Sequence, residues 1–172
     1  MKPVRIVVMG VCGCGKSEIG ARLATLLECP FIEGDAYHPR VNLDKMRAAI
    51  PLSDDDRQGW LEILSEEIRA AREDGCSVVL ACSALKRRYR ECLRRGDPAL
   101  VFVYLHGTRE QIRERMQLRQ GHFMPLSLID SQFFDLEPPQ PDERCIACEI
   151  DPPPETLIAQ IATSLGWTAP YC

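Results

Sequence analysis

The sequence predicts an α/β fold, a five-stranded, mostly parallel sheet flanked by helices, and three observations predict it. Short apolar runs at 4–9, 30–32, 78–82, 100–105 and 145–150 alternate with stretches of helical period. The longer runs are almost continuously apolar, as strands covered on both faces are. The first of them empties into Gly10-Val11-Cys12-Gly13-Cys14-Gly15-Lys16-Ser17, which has the G-x-x-x-x-G-K-[ST] spacing of a phosphate-binding loop.

Directly after that loop, Ile19, Leu23, Leu26 and Leu27 fall at i, i+4, i+7 and i+8, the apolar stripe of a helix. Strand, glycine loop and helix therefore stand in the order that aims a helix N-terminus at an anion. Backbone N–H groups of 10–17 would cradle phosphate oxygens, and Lys16 would reach the β- and γ-phosphates of ATP. The Ser17 hydroxyl would take one position on Mg²⁺.

After the first helix a short strand ends in Glu33-Gly34-Asp35. Carboxylates at the C-terminal end of a strand lie where open α/β sheets put ligands. Such a group accepts a proton from an attacking hydroxyl or holds the waters of a metal. Pro39 keeps His38 out of a helix, so its imidazole belongs to a loop over the site or to the surface. A short helix is expected over 42–50 with Leu43 and Met46 buried. Ser53 with Asp56 reads as a capping box, and Trp60, Leu64, Ile68 and Ala71 as the stripe of the helix that follows, up to Gly75. Arg57, one turn in, points to solvent or to the cleft.

The 78–82 strand empties into Ser83-Ala84-Leu85-Lys86-Arg87-Arg88-Tyr89-Arg90. Lys86 and Arg90 are expected on one helix face at i, i+4, with Ser83 and Lys86 the first polar residues out of the strand. Following the 100–105 strand, Thr108 and Gln111 cap a helix with Ile112 and Met116 on its apolar side. Arg115 and Arg119 lie one turn apart and lead into Gly121-His122-Phe123-Met124-Pro125, as a moving lid over ATP would need. The last strand gives way to a helix started by the 152–154 prolines and carrying Leu157, Ile158, Ile161 and Leu165. Segments 37–72 and 117–141 read as excursions from one domain, a substrate-side flap and a lid.

Composition bounds the function. A chain of 172 residues buries about 70% of its unfolded surface as one domain. With no apolar run of membrane-span length and no signal-peptide pattern, a soluble, cytoplasmic protein with no membrane partner is expected. The net charge of −4 argues against a general nucleic-acid binder, though local Arg and Lys can still hold an anionic substrate. Nine cysteines, an odd number in a chain without secretory features, do not suggest a disulfide framework. Cys145 and Cys148 form a lone C-x-x-C read as strand core. Cys12 and Cys14 sit at a helix N-terminus, which lowers thiol pKa, so nucleotide binding is expected to be oxidation-sensitive.

Taken together these segments resemble the P-loop small-molecule kinases related to adenylate and shikimate kinases, and within them the gluconokinase family. The phosphate loop, Gly34-Asp35 with His38-Pro39, Ile50-Pro51-Leu52 with the 54–57 stretch, and Ala81-Cys82-Ser83-Ala84-Leu85-Lys86 with Tyr89-Arg90 carry the resemblance. Gly121-His122-Phe123-Met124-Pro125, Ser131-Gln132-Phe133 and Leu136-Glu137-Pro138-Pro139 extend it over nearly the whole chain.

The resemblance implies transfer of the ATP γ-phosphoryl group to the 6-hydroxyl of D-gluconate. It assigns Asp35 to orienting that hydroxyl and acting as base, with Arg119 and then Arg115 stabilising the transferring group. Lys86 and Arg57 are candidates for the gluconate carboxylate, and His38, Ser83 and His122 for its hydroxyls. Glu33 would meet Mg²⁺ through water. Related enzymes are often homodimers. The family usually has Ser where Cys12 and Cys14 stand, Ser or Thr at Glu18, and Asp at Glu33. Backbone amides hold the phosphate, so the thiols leave binding intact, whereas the longer Glu33 shifts metal affinity. Two rivals remain, a shikimate-like kinase and a catalytically idle ATP-binding regulator. Cys82-Ser83-Ala84 in place of a Gly-Gly-Gly turn speaks against the first, and the intact Lys16, Ser17, Asp35 and Arg119 against the second.

Overall fold

Alternation along the strands sorts the interior into two layers, one on each side of a single sheet. In chain order the elements are β1 (Arg5–Met9), α1 (Lys16–Leu26), β2 (Phe31–Glu33), a 3-10 turn (Gly34–Tyr37), α2 (Arg40–Arg47), α3 (Asp54–Glu73) and β3 (Val78–Ala81). They continue with α4 (Arg87–Arg94), β4 (Val101–His106), α5 (Arg109–Leu118), α6 (Leu126–Asp135), β5 (Cys145–Glu149) and α7 (Pro154–Ser164). This computed structural model describes residues 2–118 and 126–167. The sheet order is β2-β3-β1-β4-β5 and every pairing is parallel, so the predicted strands and their direction hold.

Ile6 and Val8 of β1 pack with α1, α5 and α7 through Leu23, Ile112 and Ile161, while Val7 and Met9 face α3 and α4 through Leu64 and Leu93. β1 thus hands the chain to α1 on one face, and its neighbour β3 hands it to α4 on the other. The two connections part at the C-terminal edge and leave a crevice there, the place where open α/β sheets bind ligands.

Local chemistry sets the helix starts. Ser53 and Asp56 form the reciprocal capping box of α3, and Thr108 and Gln111 do the same before α5. Elsewhere the structure corrects the sequence reading. Leu26, assigned to the buried stripe of α1, is 40% exposed. α2 starts at Arg40, directly after its Pro39 cap, and buries Asn42, leaving Leu43 and Met46 half-buried. A helix, α6, occupies 126–135 of the polar stretch read as lid, with Leu128 and Ile129 buried. Cys145 and Cys148 point to opposite layers of the edge strand β5, so the pair cannot close on one metal ion.

Candidate active site

The phosphate loop is shaped by backbone. Gly10 leaves β1 at φ 141°, and a Cβ there would collide with the Leu105 carbonyl of β4, so only glycine lets the loop lie against the sheet. The Gly10 N–H donates to the Ser83 carbonyl at 3.3 Å, joining the loop to the segment that leaves β3. Lys16 opens α1 and folds back to donate from Nζ to the Val11 carbonyl at 3.0 Å. Burial works to lower the Lys16 pKa, but the neighbouring thiols when they ionise and the Asp35 carboxylate outweigh it and raise it above the ordinary value, so Lys16 keeps its charge. Ser17 is exposed in the first turn of α1.

Cys14 departs from expectation. Its side chain is buried, and that burial raises its pKa against the opposing charges of Lys16 and Arg115. Desolvation outweighs the helix terminus, so Cys14 is a protonated core thiol and not a reactive one. Cys12 lies half-buried in the cleft wall, and its N–H donates to Gln132 Oε1 of α6 at 2.6 Å.

The acceptor side begins at the end of β2. Gly34 is buried so tightly that a Cβ would strike the Ala81 carbonyl, and its own carbonyl accepts from Trp60 Nε1 at 2.8 Å. That anchorage presents Asp35, exposed, to the cleft. His38 is buried rather than superficial, stacked on Trp60 with ring centroids 4.0 Å apart. Asn42 Nδ2 lies 3.3 Å from His38 Nδ1 and also donates to the Asp56 carbonyl at 2.7 Å. An amide nitrogen can only donate, so Nδ1 accepts and the ring hydrogen sits on Nε2, 4.0 Å from Asp35 Oδ1. Burial lowers the His38 pKa, Asp35 opposes this and Arg57 adds to it, leaving the imidazole neutral at pH 7.

The remaining wall comes from α3, α6 and the residues after β3. Arg57 faces the cleft, 11% exposed, with Nη1 3.1 Å from the Tyr89 hydroxyl and 3.5 Å from Asp135 Oδ2. Ser83 also lines the cleft. Lys86 does not. It caps the N-terminus of α4, outside the helix, with Nζ 3.0 Å from Asp54 Oδ1 and 3.4 Å from Asp135 Oδ1. The expected shared face with Arg90 is also absent, since Arg90 is fully buried in an ion pair with Glu143. Arg115 donates to the Ile150 carbonyl just past β5 and is not among the residues lining the cleft with Asp35. Glu33 ends β2, half-buried. Arg119 and His122 lie outside the described residues.

One cleft thus brings together Cys12, Lys16, Asp35, His38, Arg57 and Ser83. Reasoning from sequence missed Trp60 and Asn42 beneath this wall, and Ser131 and Gln132, which enter it from α6. Asn42 carried a usable signal, a polar residue four positions after His38. The Ser131-Gln132-Phe133 block was visible without a role. Among the described residues no group of three or more His, Cys, Asp or Glu could hold a metal ion on its own. No described helix is long and apolar enough to cross a membrane.

The chain is similar to known proteins in both sequence and fold. The sequence pattern of the shikimate kinase family matches residues 12–136. The chain is 48% identical to the thermosensitive gluconokinase of Escherichia coli K12 over 81% of its own length and 75% of the relative's. It is 42% identical to the gluconokinase of Gluconobacter oxydans, covering 94% of this chain and 90% of that one. The crystal structure of a gluconokinase from Sinorhizobium meliloti 1021 superposes with a TM-score of 0.89 at 44% identity, over 96% of this chain and 93% of the other.

Proposed function

This chain belongs to the gluconokinase family, and on that footing we propose that it moves the ATP γ-phosphoryl group onto the 6-hydroxyl of D-gluconate. It is an ATP-dependent gluconate kinase, and the observation that supports a role for its own residues is that Lys16 and Asp35 line one cleft. The loop amides and Lys16 hold the polyphosphate from one side, and Asp35 meets the acceptor from the other. Asp35 orients the 6-hydroxyl and accepts its proton as oxygen bonds to the γ-phosphorus and the bond to ADP breaks. Neutral His38 donates from Nε2 toward the same carboxylate or an acceptor hydroxyl, and Ser83 contacts a second hydroxyl.

The donor set suits Mg²⁺. That ion keeps several waters and takes oxygens of the substrate phosphates, so the exposed Ser17 hydroxyl with Glu33 through a water would complete its shell. When bound it would neutralise charge on the β- and γ-oxygens. Arg57 receives the gluconate carboxylate. Because Asp135 already pairs with Arg57 and Lys86, the substrate must compete with it, and Lys86 acts from behind the wall. Arg119 supplies charge to the transferring group, Arg115 supports the nucleotide side, and His122 contacts a hydroxyl of the acceptor, with 117–141 serving as the lid over ATP and 37–72 as the substrate-side flap. As a kinase of a small sugar acid, the protein is assigned to the cytoplasm.

ADP release, coupled to a spectrophotometric readout over a panel of sugar acids and shikimate, tests the reading. Turnover with gluconate at the highest kcat/KM is the expected result. Preference for shikimate, or ATP binding without turnover on any acceptor, would replace it with one of the two rivals.

A further inference from the structure

We propose that Arg90, held by Glu143, positions the 83–85 segment so that Ser83 faces the acceptor cleft; Ser83's part in that cleft rests on the function proposed above. Arg90 is 0% exposed, yet all of its polar atoms are engaged. Nε and Nη2 reach the two Glu143 oxygens at 2.6 and 2.8 Å. Nη1 donates to the carbonyls of Ala84 at 3.1 Å and Leu85 at 3.0 Å. Burial would raise the Glu143 pKa, but the guanidinium bonds and the Gln140 N–H hold the carboxyl down at about 2, so the pair is ionised.

The segment so held is one that local propensity disfavours. Ala84 sits at φ 43°, in the left-handed region, where a non-glycine residue persists only if its surroundings over-determine it. Three donors do so. The two from Arg90 grip the 84 and 85 carbonyls, and the Glu137 N–H adds a second bond to Leu85 at 2.9 Å. The bend leaves the Ser83 carbonyl to accept the Gly10 N–H, and the Ser83 side chain to line the cleft with Lys16 and Asp35. One guanidinium outside the cleft thus ties the acceptor wall to the phosphate loop.

Burying an ion pair is a poor route to stability alone, because an apolar pair of similar volume often serves as well. What an apolar pair cannot do is donate to two carbonyls. That difference separates a positioning role from a structural one. The test is the double variant R90M/E143M beside the single variant R90K, whose point-like ammonium cannot reproduce the fork. Thermal midpoint, ATP affinity by calorimetry, kinetics with gluconate, and hydrogen exchange of peptides covering 82–86 are measured for both and for the parent.

The expected result is a folded double variant that binds ATP like the parent, exchanges faster over 82–86, and has a gluconate KM raised about tenfold. R90K should show the same changes more weakly. Parental exchange over 82–86 in a folded variant would overturn the proposal whatever the acceptor is. Faster exchange with gluconate KM and kcat within about twofold of the parent would overturn the link to the acceptor wall. If the double variant does not fold, R90K decides by the same two readings. A parent that exchanges slowly over 82–86 yet never turns over gluconate would count against the proposed function, and the exchange result would still judge the positioning role of Arg90.

Discussion

The phosphate loop and the acceptor wall face each other across one cleft and are built on different principles. The loop is contiguous, eight residues whose backbone N–H groups are proposed to hold the phosphates and whose shape is imposed by glycine and by the β1–α1 junction. The wall is assembled from side chains of the turn after β2, α2, α3, α6 and the residues after β3, several of them aimed by a partner distant in sequence. Trp60 holds the Gly34 carbonyl across 26 positions, and Arg90 holds Glu143 across 53. Changes to the loop's thiols, which neither shape its backbone nor meet the phosphates, should therefore be mild, and changes to the side chains of the wall severe.

Asp35→Ala offers the largest contrast. Loss of the hydroxyl's orienting base should lower kcat by about 10²–10⁴-fold while ATP affinity stays at the parental value. Unchanged kcat would remove Asp35 from the mechanism, and a parallel loss of ATP binding would show that loop and wall are not separable.

Arg57→Ala comes next. Deleting a charge-assisted contact to the substrate carboxylate should raise the gluconate KM by about tenfold to a hundredfold, equivalent to roughly 1.5–3 kcal/mol. Steady-state kinetics with gluconate and with an uncharged polyol of similar length check it. The polyol should be indifferent to the substitution, and an equal effect on both acceptors would assign Arg57 to structure.

A smaller effect concerns His38 and pH. Its folded pKa lies below the ordinary 6.5, so between those values the unfolded chain binds the extra proton. Stability should therefore fall as pH drops below about 6.5 and level off below the folded value. The His38→Gln variant should lose that part of the slope in denaturant titrations at several pH values. An unaltered slope would place the titration elsewhere in the wall.

Cys14→Ser should be the mildest on function. The thiol is buried and protonated, and the loop binds through its backbone, so ATP affinity should stay within about twofold although a buried hydroxyl lowers the thermal midpoint. A large loss of ATP affinity would break the contrast from the loop's side.

How much of this could be read beforehand follows the same division. The capping boxes at Ser53 and Thr108 were legible because both partners lie within one turn. The place of Asp35 in the cleft was legible because it follows directly on a strand at the C-terminal edge of the sheet, where ligands bind. Arg90 was misread because a buried arginine and a solvated one look alike in a basic run, and only Glu143, far along the chain, tells them apart. Lys86 was misread for a related reason. Its place at the cap of α4 depends on the bend at Ala84, which that pair holds.

The sequence by itself determined the parallel α/β sheet and the phosphate loop, because short-range periodicity and backbone-driven motifs need no distant partner, and its likeness to other sequences gave the kinase family. Tertiary structure alone decided which cations reach the cleft, which tautomer His38 adopts, and which thiol is silent. Those properties depend on desolvation and on hydrogen bonds between residues tens of positions apart, which no local pattern encodes.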